Sequence, residues 1–426
     1  MKPRNSQRTA TMNLSATFLS TDKARIAVKI VPLPLSARTP KHLAFLTDTS
    51  GSMEGDRMES VKRTLHLLVD ALPVDDVFSL IRYSSESTVP LNSVKITEDR
   101  TALHTKIDAL YADNGTNLES AVLQLKTLEN VDSVFLLTDG HINEGITAAS
   151  GLLRILGPFP PPLNTLGYGA DYNTRTLKKL SLNTRGSHTY ADAAELIPAI
   201  IGDIVGGLAA EVGKNGCLEI PAGWRCLEQG YTEGDTTYNV GSLVAEKVHW
   251  VVLEAPADTP EPSSLAFTWQ TDKAITVHFF LDDEIQNVEI MEQYNRCRVA
   301  QVFGEATEML EVRDREAAKK MLQALQTELT TSVAKDRPFV IRLLAQVDEM
   351  LEEFSNAYLN PDLVPRMNSN MVALGVQRGI VSRLQSMQPG DVTSRAMTGV
   401  LDSFSSPSQR LASAGMSNKY SQQTAH

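Results

Sequence analysis

Cysteine is scarce in this chain: Cys217, Cys226 and Cys297 are the only three in 426 residues. So odd and sparse a set excludes a disulfide framework and a cysteine-built zinc site, and it suits a reducing cytoplasm. No apolar run approaches the roughly 20 residues that a membrane-spanning helix needs. The longest candidate, Ala199 to Ala210, is broken by Asp203. Met1 to Thr11 are polar and basic and lack the apolar centre of a secretory signal. There is no dense Lys/Arg run, and a formal net charge of -11 offers no basic face, which excludes a general nucleic-acid binder. Repeats of solenoid period are absent too. What is present, 42% hydrophobic and 21% charged residues, is an ordinary globular composition, and the length suggests about three domains.

Residues 41 to 190 alternate short apolar runs with amphipathic helical patterns, which predicts an open sheet covered by helices on both faces. Strands are expected at Leu43–Thr47, Val77–Tyr83, Val89–Lys95, Ser133–Thr138, Asn164–Tyr168 and His188–Tyr190. Met58, Val61, Leu65, Leu68 and Leu72 recur at helical spacing, as do Leu118, Ala121, Val122, Leu125 and Leu128. Only Ser84-Ser85-Glu86-Ser87 separates the second and third strands, whereas a parallel crossover needs about a dozen residues or more. That pair must be a hairpin, and the sheet is then mostly parallel with one antiparallel edge strand.

The flanks differ in character. Thr17–Leu19 and Ile26–Leu33 read as two strands ahead of this block, and Cys217 to Leu281 supplies several more. Pairing the early strands with the late ones makes a β-sandwich into which the α/β domain is inserted. Ile285 to Tyr358 is largely helical, with Leu322, Leu325 and Leu329, then Ile341, Leu344, Val347 and Leu351, at helix spacing. Asn360-Pro361 ends the run, Met367 to Leu384 adds a short helix, and the Ser/Gly/Gln-rich residues after Gln388 read as disordered. The expected architecture is an α/β fold, a doubly wound, mostly parallel sheet inserted beside a β-sandwich, plus a C-terminal helical region. Its expected limits are 12–38 and 211–284 for the sandwich, 39–210 for the α/β domain, 285–387 for the helices and 388–426 for the tail.

Three separated segments carry the chemistry: Asp48-Thr49-Ser50-Gly51-Ser52, Asn114-Gly115-Thr116-Asn117 and Thr138-Asp139-Gly140. They offer the hydroxyls of Ser50, Ser52 and Thr116 and the carboxylates of Asp48 and Asp139. An all-oxygen set of this kind suits a small, hard divalent cation such as Mg2+. Asp48 and Asp139 fall just past the carboxyl ends of the first and fourth strands, where open α/β sheets bind ligands if those strands meet at a topological switch point. A cation held directly by neutral hydroxyls, with both aspartates reached largely through water, stays short of negative charge. Octahedral Mg2+ keeps several waters, one of which an outside Asp or Glu can replace. Asn114-Gly115-Thr116 is also a glycosylation sequon, and a glycan there would block the site, which again suits the cytoplasm.

These residues resemble the von Willebrand factor A domain family and its metal-ion-dependent adhesion site. The family's Asp-x-Ser-x-Ser is matched by Asp48, Ser50 and Ser52, its threonine by Thr116, and its Asp-Gly by Asp139-Gly140. The resemblance covers roughly residues 39 to 208 and implies a doubly wound fold, one bound Mg2+ or Mn2+, and ligation of an acidic residue on a partner protein. The wider layout is similar to intracellular members in which a β region and a helical region follow the A domain. Some of those carry a RING, a U-box or a Hint region, and none of these is recognised here.

The expected function is therefore a non-enzymatic, cation-dependent protein interaction module. A structural scaffold with a silent metal site is the alternative. Two enzyme readings compete as well. Phe45 to Gly51 resembles the loop of aspartic peptidases, but such enzymes bring two loops together, and Thr138-Asp139-Gly140 lacks the residue between Asp and Gly. A metal-dependent phosphohydrolase could use Asp48 as nucleophile, yet there is no Walker A sequence and no second acid two positions after Asp48.

Other polar and aromatic residues take plainer readings. His141 and Glu144 read as solvated loop residues, and His66 and His104 as surface or packing residues with no partner at zinc-site spacing. Trp224, Trp250 and Trp269 are expected in the β core, and Met291, Met309, Met321 and Met350 as core filler. Glu352-Glu353 is expected on a solvated helix face. Partner identity and oligomeric state are not legible.

Overall fold

A computed structural model of the chain describes residues 8–9, 12–20, 23–33, 39–139, 142–158, 160–168, 174–191, 202, 205–206, 210–245, 247–271, 274–279, 287–354, 356, 359 and 363–375. The polypeptide divides into two compact units, one built on residues 38–209 and the other on residues 1–37 together with 210–406. The strands β1 (Arg8–Thr9), β2 (Met12–Ser20) and β3 (Lys23–Pro32) precede the inserted unit. The strand β1 was not expected, and β2 and β3 extend beyond the starts of the apolar runs that announced them, because the ladder from Met12↔Pro32 to Ser20↔Ala24 enlists polar residues alternating with apolar ones.

The inserted unit holds six strands: β4 (His42–Asp48), β5 (Val77–Tyr83), β6 (Ser87–Lys95), β7 (Ser133–Thr138), β8 (Leu163–Tyr168) and β9 (His188–Ala191). Their spatial order is β6-β5-β4-β7-β8-β9. All pairs are parallel except β5 with β6, the expected hairpin at the edge. Alternate residues of the central strands face opposite ways. Phe45, Phe78, Leu80 and Phe135 share one core with Met58, Val61, Leu65 and Leu68 of α1 (Asp56–Ala71) and with Leu103 and Ile107 of α2 (Thr101–Asp108). Phe45 and Phe135 stack with ring centroids 4.5 Å apart.

Leu46, Ile81, Val134 and Leu136 face the other core. They meet Leu118, Val122 and Leu125 of α3 (Leu118–Leu125), Leu152 of α4 (Ala149–Leu156), and Leu177 and Leu180 of α5 (Thr174–Asn183). Burial of each such aliphatic side chain contributes about 1.5–3 kcal/mol. Strand order reverses between β4 and β7, the switch point at whose carboxyl edge an open α/β sheet presents a ligand site.

The other unit adds β10 (Glu211–Glu219), β11 (Arg225–Cys226), β12 (Thr237–Val244), β13 (His249–Pro256), β14 (Leu265–Gln270) and β15 (Ala274–Phe279). One antiparallel sheet runs β1-β2-β3-β13-β11 and the other β12-β10-β14-β15. Ile26, Val28, Val251 and Leu253 of the first sheet share a core with Leu218, Leu243, Phe267 and Trp269 of the second. Trp224 joins this core, but Trp250 does not. Because Val251 and Leu253 point inward, strand alternation turns Trp250 outward, where it packs on Ala27 and Ile290.

Ile290 belongs to α6 (Asn287–Glu311), which packs against α7 (Arg315–Thr331) and α9 (Leu363–Gly375). The remaining helix, α8 (Pro338–Glu353), starts with proline at its first turn, where a missing N–H costs nothing. Its buried stripe is Phe339, Val340, Leu343, Val347 and Met350. Ile341, expected on that stripe, is 53% exposed. Met350 is core, whereas Met291, Met309 and Met321 are half-buried.

Two buried charges tie this unit together. The Arg296 guanidinium of α6 donates to both oxygens of Glu228, at 2.5 and 2.9 Å, and to the Leu374 carbonyl of α9 at 2.8 Å. Glu353 is not on a solvated face as expected: it is buried and accepts from Arg366 Nη2 at 2.8 Å, while Glu352 stays exposed. The expected helix beyond Gly375 and the tail at 388–426 lie outside the described residues.

Candidate metal centre

Each candidate side chain is placed by a loop at the carboxyl edge of the sheet. Strand β4 ends at Asp48, which is fully buried. One carboxylate oxygen accepts the Ser50 N–H at 2.9 Å, and the other accepts the Thr138 hydroxyl at 2.6 Å. Thr138 is the last residue of β7, so the hydrogen bond crosses the switch point. Burial pushes the Asp48 carboxyl up to about 6, against the lowering effect of these hydrogen bonds, and the charge of Asp139 adds to the rise.

Beyond Asp48 the chain turns through a short 3-10 segment, Gly51–Met53, before α1 begins. This turn sets the Ser50 and Ser52 hydroxyls 3.1 Å apart, and Ser52 donates to Asp139 Oδ1 at 2.8 Å. Asp139 Oδ2 accepts from Arg57 Nη1, a residue of the first turn of α1 that the sequence reading did not single out. Four of the five candidates thus form one hydrogen-bonded cluster.

Thr116 arrives from a separate loop. Asp113 N–H donates to the Thr49 carbonyl at 2.7 Å, which joins that loop to the first. Asn143 fixes Thr116 by accepting its N–H at 2.9 Å, and the Asn143 N–H returns to the Thr116 carbonyl at 3.2 Å. Gly115 precedes it with φ +77°, and a Cβ there would lie 2.1 Å from Ser85 Oγ and 2.5 Å from Glu144 Oε1. Glu144 is therefore a loop strut, accepting Ser85 Oγ at 3.0 Å, and not merely solvated. The backbone is held on every side, while the Thr116 hydroxyl has no hydrogen-bond partner among the described residues. Gly140 and His141 lie outside them.

The donor set fits a hard cation. It is all oxygen, it holds a buried carboxylate short of positive charge, and it leaves the Thr116 hydroxyl unengaged in a loop whose backbone is tied down at Asp113, Asn114, Thr116 and Asn117. Among the described residues no three His, Cys, Asp or Glu side chains converge as a metal cluster, so hydroxyls must supply most of the ligands here. His66 and His104, expected as surface or packing residues, face each other with their Nδ1 atoms 2.6 Å apart, a pairing between two helices that local spacing does not reveal.

Residues 42–199 match the family model of the von Willebrand factor type A domain. The chain carries a von Willebrand factor type A domain. Its fold is similar to that of the von Willebrand factor type A protein from Catenulispora acidiphila, with a TM-score of 0.64 at 12% identity over 87% of this chain and 98% of the other. It is also similar to the ArnB paralog VWA2 from Sulfolobus acidocaldarius, with a TM-score of 0.58 at 16% identity over 86% and 99% of the two chains. The likeness therefore extends past the von Willebrand A domain to the added sheets and helices. In sequence, the uncharacterised protein sll0103 of Synechocystis is 28% identical over 176 residues, 39% of this chain and 41% of that one. The chain thus matches less than half the length of that relative. No helix among the described residues is long and apolar enough to cross a membrane.

Proposed function

We propose that the von Willebrand A domain of this protein binds Mg2+ or Mn2+ through Ser50, Ser52 and Thr116, with Asp48 and Asp139 as the outer carboxylates, and thereby captures an Asp or Glu of a partner protein. Some members of the family are metal-dependent adhesion modules. The observation that carries the reading is the unengaged Thr116 hydroxyl, in a loop tied through Asp113 to Thr49, next to the segment that carries the Ser50–Ser52–Asp139 cluster. A bound cation would supply Lewis-acid attraction for an incoming carboxylate. Asp48 orients the serine loop through the Ser50 N–H, Thr138 holds Asp48, and Asn143 sets the position of Thr116.

The role is non-enzymatic. A peptidase dyad needs two carboxylates sharing a proton. Here Asp48 is engaged by Ser50 and Thr138, and Asp139 separately by Ser52 and Arg57. That no disulfide joins Cys217, Cys226 and Cys297 supports a cytoplasmic setting. Calorimetric titration with Mg2+ and Mn2+ tests the site: one saturable site is expected in the wild type and none in Thr116→Ala of unchanged circular dichroism. Equal binding by the variant overturns the assignment. Partner capture that persists in EDTA would leave the domain as a scaffold.

A further inference from the structure

Two of the chain's four His-x-x-x-Asp sequences, His66 to Asp70 and His104 to Asp108, fall on helices. Each falls on one helix, the first on α1 and the second on α2, and four-residue spacing puts each pair on one helix face. The pairing between them is crossed. His66 Nε2 contacts Asp108 Oδ1 at 2.9 Å, and His104 Nε2 contacts Asp70 Oδ1 at 3.1 Å. The two Nδ1 atoms face each other at 2.6 Å, with the rings tilted by 34°.

Proton accounting constrains this arrangement. An ionised carboxylate only accepts, so each Nε2 must carry the hydrogen that it donates. A neutral imidazole then keeps a lone pair on Nδ1, and the two lone pairs point at one another. Only a cation between them reconciles that geometry. A proton would offset one of the two aspartate charges, whereas a divalent ion offsets both.

The geometry points to a second metal site, in which His66 Nδ1 and His104 Nδ1 bind a borderline transition-metal ion of the Zn2+, Cu2+ or Ni2+ class. Imidazole nitrogen suits these ions, and Mg2+ prefers oxygen, so the site is chemically separate from the serine and threonine loops. Carboxylates on the far ring nitrogens orient metal-binding histidines, the role that Asp70 and Asp108 take here. Two protein ligands meet at this point, and water completes the shell. The histidine side chains are 23% and 29% exposed, which leaves room for that water. Metal–nitrogen bonds of about 2.0–2.1 Å set tetrahedral nitrogens about 3.3–3.4 Å apart, so the rings must part by about 0.7 Å.

The test uses the untagged full chain in excess Mg2+, titrated with Zn2+ by calorimetry and with Cu2+ by electron paramagnetic resonance. One Zn2+ per chain and a Cu2+ spectrum split by two nitrogens are expected. His104→Gln should abolish both, Asp70→Asn should weaken Zn2+ binding by about 10–100-fold, and Thr116→Ala should leave them unchanged. Absence of saturable binding in the wild type, a Cu2+ spectrum without two-nitrogen splitting, or equal binding by folded Asp70→Asn overturns the proposal. A histidine pair that takes up a proton as pH falls but no metal also overturns it.

Discussion

Arg57 donates to the Asp139 carboxylate oxygen that Ser52 leaves open. The guanidinium therefore offers at the site's rim the positive charge that a bound cation would bring. Arg57→Gln should tighten Mg2+ binding, because the competing charge is gone. Its side chain is 43% exposed, and ion pairs so exposed contribute about 0–1 kcal/mol, so the gain should be at most about fivefold in Kd. Calorimetry showing weaker binding in the variant would mean that Arg57 supports the site instead.

Gly115→Ala should damage the same site from behind. The new methyl meets Ser85 Oγ and Glu144 Oε1 inside contact distance, and the positive φ disfavours any side chain. A cost of about 1–3 kcal/mol and loss of Mg2+ binding are expected. Thermal unfolding in EDTA reads the first and titration the second; a variant matching wild type in both would show that the loop yields freely.

His188 should make the α/β unit sensitive to acid. Burial, with the charge of Lys178 adding to it, depresses this imidazole from 6.5 to about 3, and its Nδ1 lies 2.8 Å from the Thr165 hydroxyl. Since the folded value is the lower one, the unfolded chain takes up the proton first. Stability present above pH 6.5 is then lost as pH falls toward 3, by about 2–3 kcal/mol by pH 4.5. His249, depressed for the same reason of burial, adds to the trend in the other unit. In His188→Gln the melting temperature should fall less between pH 7 and 4.5, and an unchanged slope would exclude His188 as a source.

Glu228→Gln should cost about 3–5 kcal/mol by leaving the buried Arg296 charge without its counter-ion. The double variant Glu228→Gln, Arg296→Met should recover much of that loss. Urea melts of the two variants decide the matter: equal loss in both would mean that the pair's packing, and not the stranded charge, sets the cost.

The inserted sheet was legible because its strands are buried on both faces, so Leu43 to Leu46 and Ser133 to Leu137 read as continuous apolar runs. The candidate ligands were legible because each stands at the end of such a run or in a separate short loop of polar residues. The errors arose where one periodicity admits two phases. In α8, Ile341 and Leu344 are as apolar as Val340 and Leu343, and only packing chooses between the stripes. Trp250 and Trp269 are alike in sequence but occupy opposite sides of their sheets. Arg57, Asn143, Glu353 and the histidine pair were missed for another reason. Their partners lie 13 to 82 residues away, beyond any local pattern.

Strand β3 finds one neighbour, β2, at once, but its other neighbour, β13, is separated from it by the whole inserted unit: Val28 pairs with Val251, 251 − 28 = 223 residues later. At a synthesis rate of about 5–20 residues per second, β3 waits roughly 11–45 s for that partner. During this time the inserted sheet can complete every one of its own pairings, whereas the Ile26, Val28 and Ile30 face has nothing to cover it. The outer unit is therefore first to be started and last to close, and its waiting edge is where a nascent chain of this protein is most exposed to mispairing with another copy.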